Sequence, residues 1–226
     1  MSTPAESYDW WASLNHGGVL VAPAKLPTFF LPSGPPIPPY RVEQLRSEVG
    51  RVLDLDESRV GPLLDLVLEG ICGFPHHEWT KGPNVLPEWG QRVITGEVVK
   101  PRRVWQGEHG AALPVFIADQ SLGLRKDTWL TTRLGQGRSR RAVTKVVEWL
   151  RRAGQKLALV TNGRQWRVVY AGSDFDAWAE WDIDLWFREG RPAEQVGVHR
   201  DSLRGIARLR APARARRGPD PVPELR

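Results

Sequence analysis

The 226-residue chain is 41% hydrophobic and has one cysteine, Cys72, which excludes an intramolecular disulfide and fits a reducing cytoplasm. No apolar run approaches the roughly 20 residues of a membrane-spanning helix, and the N-terminus has no basic start followed by an apolar stretch, as a secretory signal would. The net charge of +6 is unevenly spread: residues 1–99 hold 7 Lys and Arg against 12 Asp and Glu, residues 100–167 hold 15 against 4, and residues 168–226 hold 10 of each. A positive field gathered in the middle third favours a polyanionic partner, and with no spanning run no membrane partner is expected.

Residues 22–40, APAKLPTFFLPSGPPIPPY, are proline-rich and predict an extended segment anchored by Phe29 and Phe30. Val42, Leu45, Val49, Val52 and Leu53 recur at helical spacing. Leu63, Leu64, Val67, Leu68 and Ile71 predict a second helix over 59–72, with Pro62 in its first turn. Residues 73–112, rich in Gly, Pro and Trp, read as irregular apart from a short strand at 92–99. LPVFIAD (113–119) reads as a buried strand. The clearest helix lies in 138–154, with Ser139 as its cap, Val143, Val146, Val147 and Leu150 along one side, and Gly154 at its stop.

KLALVTNGRQWRVVYA (156–171) sets Asn-Gly between two β-prone runs, which predicts a hairpin with a two-residue type I′ turn. That turn pairs Thr161 with Arg164, Leu159 with Trp166 and Leu157 with Val168 on one face. Lys156, Ala158, Val160, Gln165, Arg167 and Val169 take the other. Trp166 is thereby expected in the core and Arg167 on the opposite side. DFDAWAEWDIDLWFREG (174–190) predicts a strand and a short helix capped by Asp184. The Ala/Arg/Pro tail predicts disorder. Together these give an α/β (α+β) chain in four parts: an extended 1–40, a helical and irregular 41–99, a basic core of 100–198, and a tail of 199–226. Its small mixed sheet, with the 156–171 hairpin and a flanking basic helix, admits a degenerate PD-(D/E)XK-like core behind a helical N-terminal half.

Arg138, Arg140 and Arg141 crowd the start of the 138–154 helix, where the macrodipole and free N–H groups already favour an anion. Lys145 lies one turn on and Arg152 about two turns further; Arg164 and Arg167 add to the field from the hairpin. These seven are the candidate nucleic-acid contacts, while Lys100, Arg102 and Arg103 form a looser cluster. No residue is assigned to catalysis or to a metal. No Asp or Glu is followed two positions later by Lys, the spacing that metal-dependent nuclease strands use, although Asp119 could supply one ligand. Cys72, His76 and His77 lack a fourth zinc ligand at finger spacing. Asp174, Asp176, Glu180, Asp182 and Asp184 are explained equally well as turn and cap residues. IPPY (37–40) has Ile37 where an amino-methyltransferase needs a polar side chain, and reads as a linker coincidence.

RSRRAVTKVVEWLRRAGQKLALVTNGRQWRVVYAG followed by DAWAEWDIDLWFREG resembles a stretch upstream of the methyltransferase domain in type IIG restriction–modification enzymes. It is similar also to the large adenine-specific DNA methyltransferases of BREX and DISARM anti-phage systems. The likeness is strongest over 138–190 and weaker in HGGVLVAPAKLPTFF and KGPNVLPEWGQRVITGEVVKPRRVW. It implies a bacterial defence setting, double-stranded DNA as partner, and a methyltransferase or helicase domain or subunit nearby. S-adenosylmethionine would belong to a downstream methyltransferase domain, with no cofactor in this chain and Mg²⁺ only for a nuclease. The low-complexity end departs from the family, and the expectation is either an excised N-terminal piece or a product truncated or frameshifted after about residue 198. The expectation is a cytoplasmic DNA-binding module, catalytically silent alone. Its alternatives are a divergent Mg²⁺ nuclease using Asp119 and a module that docks a methyltransferase or helicase.

Overall fold

The computed structural model describes residues 8–12, 14–29, 37–54, 56–107, 110–119, 122, 134, 141–183 and 186–187. Its strands are β1 (Asn15–Gly17), β2 (Trp79–Lys81), β3 (Gln91–Arg92), β4 (Val98–Val99), β5 (Arg103–Gln106), β6 (Ala112–Ile117), β7 (Leu157–Thr161), β8 (Gln165–Ala171) and β9 (Asp176–Asp182). Its α-helices are α1 (Asp9–Ala12), α2 (Leu26–Phe29), α3 (Pro39–Leu53), α4 (Val60–Asp65) and α5 (Arg141–Arg152). Seven strands form one mixed sheet in the order β1-β9-β8-β7-β6-β5-β2, and β3 and β4 form a separate ribbon. The sheet draws strands from each of the segments 1–40, 41–99 and 100–198.

Only β6 and β7 pair in parallel among the described strands, with Ile117 opposite Thr161, and α5 lies between them in the chain. A parallel pair needs such a crossover, because a tight turn can only reverse the chain. The pleat then sorts side chains into two cores. Leu113, Val115, Leu157, Leu159, Trp166, Val168 and Trp181 pack with Leu45, Val49 and Val52 of α3 and Leu63 and Leu64 of α4. Phe116, Ala158, Val160, Val169 and Trp178 pack on Ala142, Val143, Val146, Trp149 and Leu150 of α5. The result is a mixed α/β fold with the sheet covered on both faces.

Several expectations need correction. Residues 23–29 are not extended: Pro23–Lys25 is a 3₁₀ turn that runs into α2. Pro23 and Pro27 sit in first turns, where a missing N–H costs nothing. Phe30 lies outside the described residues, as do Ser139, Asp184 and the tail, and of Phe29 only the backbone is described. The second helix changes character after Asp65, because Leu66–Ile71 is a π-helix and Cys72 N–H donates to the Val67 carbonyl at 2.7 Å. Residues 73–112, expected to be irregular, hold the strands β2 and β5, and the strand expected at 92–99 is the β3–β4 ribbon.

The hairpin forms, but with a different register: Thr161 pairs with Trp166, Leu159 with Val168 and Leu157 with Tyr170. The Asn162 side chain explains the longer loop. Its Oδ1 accepts the backbone N–H groups of Arg164 (3.1 Å) and Gln165 (2.7 Å), and Gly163 takes φ +84°. This Asx-type cap holds a wider turn than Asn-Gly alone would. A two-residue slip preserves every facing, since side chains alternate with period two. Trp166 is therefore in the core, as expected.

Candidate nucleic-acid interface

In an open α/β sheet, ligands gather where parallel strands end, because the chain leaves the sheet there and frees polar backbone and loop side chains. Here that edge is the carboxyl end of β6 and β7. Asp119 follows β6, the Asn162–Arg164 turn follows β7, and α5, antiparallel to β7, begins at the same end with Arg141. β5 runs antiparallel to β6 with Arg103 opposite Val115, which brings Arg102 to this edge. Arg102 Nη2 donates to Asp119 Oδ2 at 3.0 Å, and the Arg102 side chain is 55% exposed.

The seven sequence-nominated cations fare differently. Arg138 and Arg140 lie outside the described residues, and for Arg141 only the backbone is described. Lys145 is ion-paired with Glu97 on the loop between β3 and β4. Arg152 donates from Nε to Glu148 Oε1 at 2.9 Å. It also sits at the far end of α5, roughly 16 Å from Arg141 at the helical rise. The described members of the cationic strip expected along this helix, Lys145 and Arg152, thus hold carboxylates. Arg164 is half-buried in the turn at the edge.

Arg167 is corrected outright. It faces α5, is 1% exposed, and pairs across the sheet with Glu180, itself 3% exposed. Arg167 Nε and Nη2 donate to Glu180 Oε2 at 2.9 and 2.5 Å. Glu180 Oε1 accepts from Gln165 Nε2 (2.9 Å) and Asn15 Nδ2 (3.4 Å), and the guanidinium lies 3.9 Å from the Trp178 ring centroid. A charge so enclosed persists only when its hydrogen bonds are met, and these are. No duplex can reach it.

Sequence reasoning missed a second charged network. Asp65 and Glu69 meet Lys81 of β2, and Asp65 also meets Arg103 of β5. Arg103 donates to Asp65 Oδ1 at 2.6 Å and to the Gly61 carbonyl at 2.9 Å. The available signal was the i, i+4 spacing of the two acids, which shares a helix face. Burial works against the Asp65 charge, but the Lys81 hydrogen bond and the Arg103 charge outweigh it and hold the carboxyl below its usual 3.8. Burial likewise opposes the Lys81 charge, yet hydrogen bonds to Asp65 and Glu69 hold it above 10.5.

The signs set a test. The Asp65 contribution is complete above 3.8 and is lost as pH falls through the lower folded value. The Lys81 contribution is complete below 10.5 and is lost as pH rises through its higher folded value. Urea midpoints should fall at both extremes, and Lys81→Gln should flatten the alkaline limb. An unchanged alkaline limb in that variant would dismiss the network as a stabilising feature.

Among the described residues no three His, Cys, Asp or Glu side chains converge to hold a metal ion. No described helix is long and apolar enough to cross a membrane. Comparison with family models, curated proteins and solved structures finds no match to this chain.

Proposed function

We propose that this chain is a DNA-engaging module of a bacterial restriction–modification or anti-phage adenine-specific methyltransferase system, catalytically silent alone. One observation carries the reading: the topology puts Arg102, the Arg164 turn and the start of α5 at Arg141 along the carboxyl edge of the parallel β6–β7 pair. Cationic side chains on rigid strand ends hold a phosphate backbone without reading its sequence. The resemblance of residues 138–190 to the region upstream of those methyltransferases supplies the biological setting.

A degenerate PD-(D/E)XK-like core is part of this proposal. The β6–α5–β7 unit with its following hairpin suits such a core, and β6 ends at Ile117 and runs on into Ala118-Asp119, where the nuclease pattern requires a carboxylate and, two residues on, a lysine. The one carboxylate there, Asp119, has Arg102 as a partner. Cation-neutralised and without a second acid beside it in β6, it is poorly arranged to hold Mg²⁺.

Duplex binding across a salt series tests the reading. Affinity should fall steeply with salt, and Arg140→Glu with Arg141→Glu should weaken binding at least about tenfold and reduce the log-log slope by about 1.8. Mg²⁺-dependent nicking abolished by Asp119→Ala would replace this reading with a nuclease. Salt-insensitive capture of a methyltransferase chain without duplex affinity would replace it with a docking role.

A further inference from the structure

We infer that Arg102 and Asp119 form an exchangeable latch: Arg102 is a phosphate contact, and Asp119 is a positioning residue that competes with the phosphate for it and so caps duplex affinity. The inference rests on the DNA-binding reading above and assigns the residues that tune it. The Arg102–Arg103 doublet divides its labour. Arg103 is buried and committed to Asp65 and the Gly61 carbonyl. Its neighbour Arg102 is more than half exposed and, among the described residues, makes one side-chain hydrogen bond, to Asp119.

The Arg102 backbone is fixed on both sides. Its N–H donates to the Val115 carbonyl at 2.9 Å, and its carbonyl accepts from Gly82 N–H at 2.8 Å. Asp119 is held as firmly, with its N–H on the Ile117 carbonyl (2.9 Å) and its carbonyl accepting from Leu122 N–H (3.0 Å). Two anchored backbones thus present one ion pair at the strand edge, its guanidinium open to solvent and its carboxylate 20% exposed. Such a pair contributes little to folding, so a phosphate can displace the carboxylate at small cost. A guanidinium bonded once keeps donors for the forked hydrogen bonds that a phosphate accepts. Asp119 aims the guanidinium along the edge and repels the incoming backbone until displaced.

Fluorescence anisotropy of the full chain with a labelled duplex, over a salt series, separates the possibilities. The set is the wild type, Asp119→Asn, Arg102→Gln and the double variant. Asp119→Asn should tighten binding about fivefold, the order of a surface charge pair. Arg102→Gln should weaken it several-fold and reduce the salt slope by about 0.9. In the double variant the gain from Asp119→Asn should vanish. A gain that persists without Arg102 reflects net charge alone and overturns the latch, as does an Asp119→Asn variant that binds like the wild type. A wild type that binds duplex while the variants show no such pattern defeats the latch and leaves the DNA-binding reading standing. A wild type that binds no duplex at any salt defeats both. Arg102→Gln should not move the urea midpoint appreciably, so its slope reads contact rather than folding.

Discussion

Arg167→Ala is expected to remove about 3–5 kcal/mol of folding stability, because it leaves a buried carboxylate without its counter-ion. Glu180 would keep only the amide hydrogens of Gln165 and Asn15, in a position that water does not reach. Trp178 would lose the cation stacked on its ring. Replacing both partners with apolar residues, Arg167→Met with Glu180→Leu, should recover most of the loss, since removing a buried pair together avoids the orphaned charge. Urea denaturation reads both variants. An Arg167→Ala midpoint equal to the wild type's would mean that the side chain is solvated in solution. Duplex affinity is the companion readout: among molecules that remain folded it should be unchanged, whereas a phosphate contact would weaken and lower the salt slope by about 0.9.

The facing of the hairpin was legible in the sequence and its register was not. Alternation is a property of the backbone and survives any even slip, so Trp166 falls inside under either register. The turn length depends on what the Asn162 oxygen bonds to, and two downstream N–H groups capture it. β2 and β5 leave no pattern in the sequence for another reason. At three and four residues they are too short for a visible alternation and are flanked by Gly and Pro.

The candidate site was less legible, because charge counts record which cations are present and not which acids reach them. The excess in 100–167 is partly cancelled by carboxylates from outside that window: Asp65 on Arg103, Glu97 on Lys145 and Glu180 on Arg167. These contacts span 38, 48 and 13 residues, beyond what local spacing can show. Sheet topology made the selection. It set Arg167 beneath α5 and left Arg102, from the looser cluster outside the seven, at the exposed edge.

Trp149→Ala should cost about 3–5 kcal/mol, the range for truncating a fully buried large aromatic. The sequence marked α5 by its valines and Leu150, but Trp149 joins that helix to two other elements. Its ring lies edge-on to Phe116 of β6, centroids 5.1 Å apart, and stacks on Trp89 at 6.0 Å with planes 11° apart. Its Nε1 donates to the Trp89 carbonyl at 2.9 Å. Trp149→Phe keeps much of the contact area and loses this bond, so its cost should be smaller, near the bond's own net worth of about 1 kcal/mol plus unfilled space. The ordering Ala far below Phe, and Phe modestly below wild type, identifies packing as the main contribution. Amide exchange adds spatial detail. The β3–β4 ribbon is otherwise tied to α5 by the buried Val93 and Val99 side chains, by Ile94 N–H on Glu148 and by Lys145 on Glu97. Val93 and Val99 amides should therefore lose protection in Trp149→Ala before those of β7 and β8, which the sheet holds on both sides. Equal loss across ribbon and sheet would instead make α5, the ribbon and the sheet a single cooperative unit.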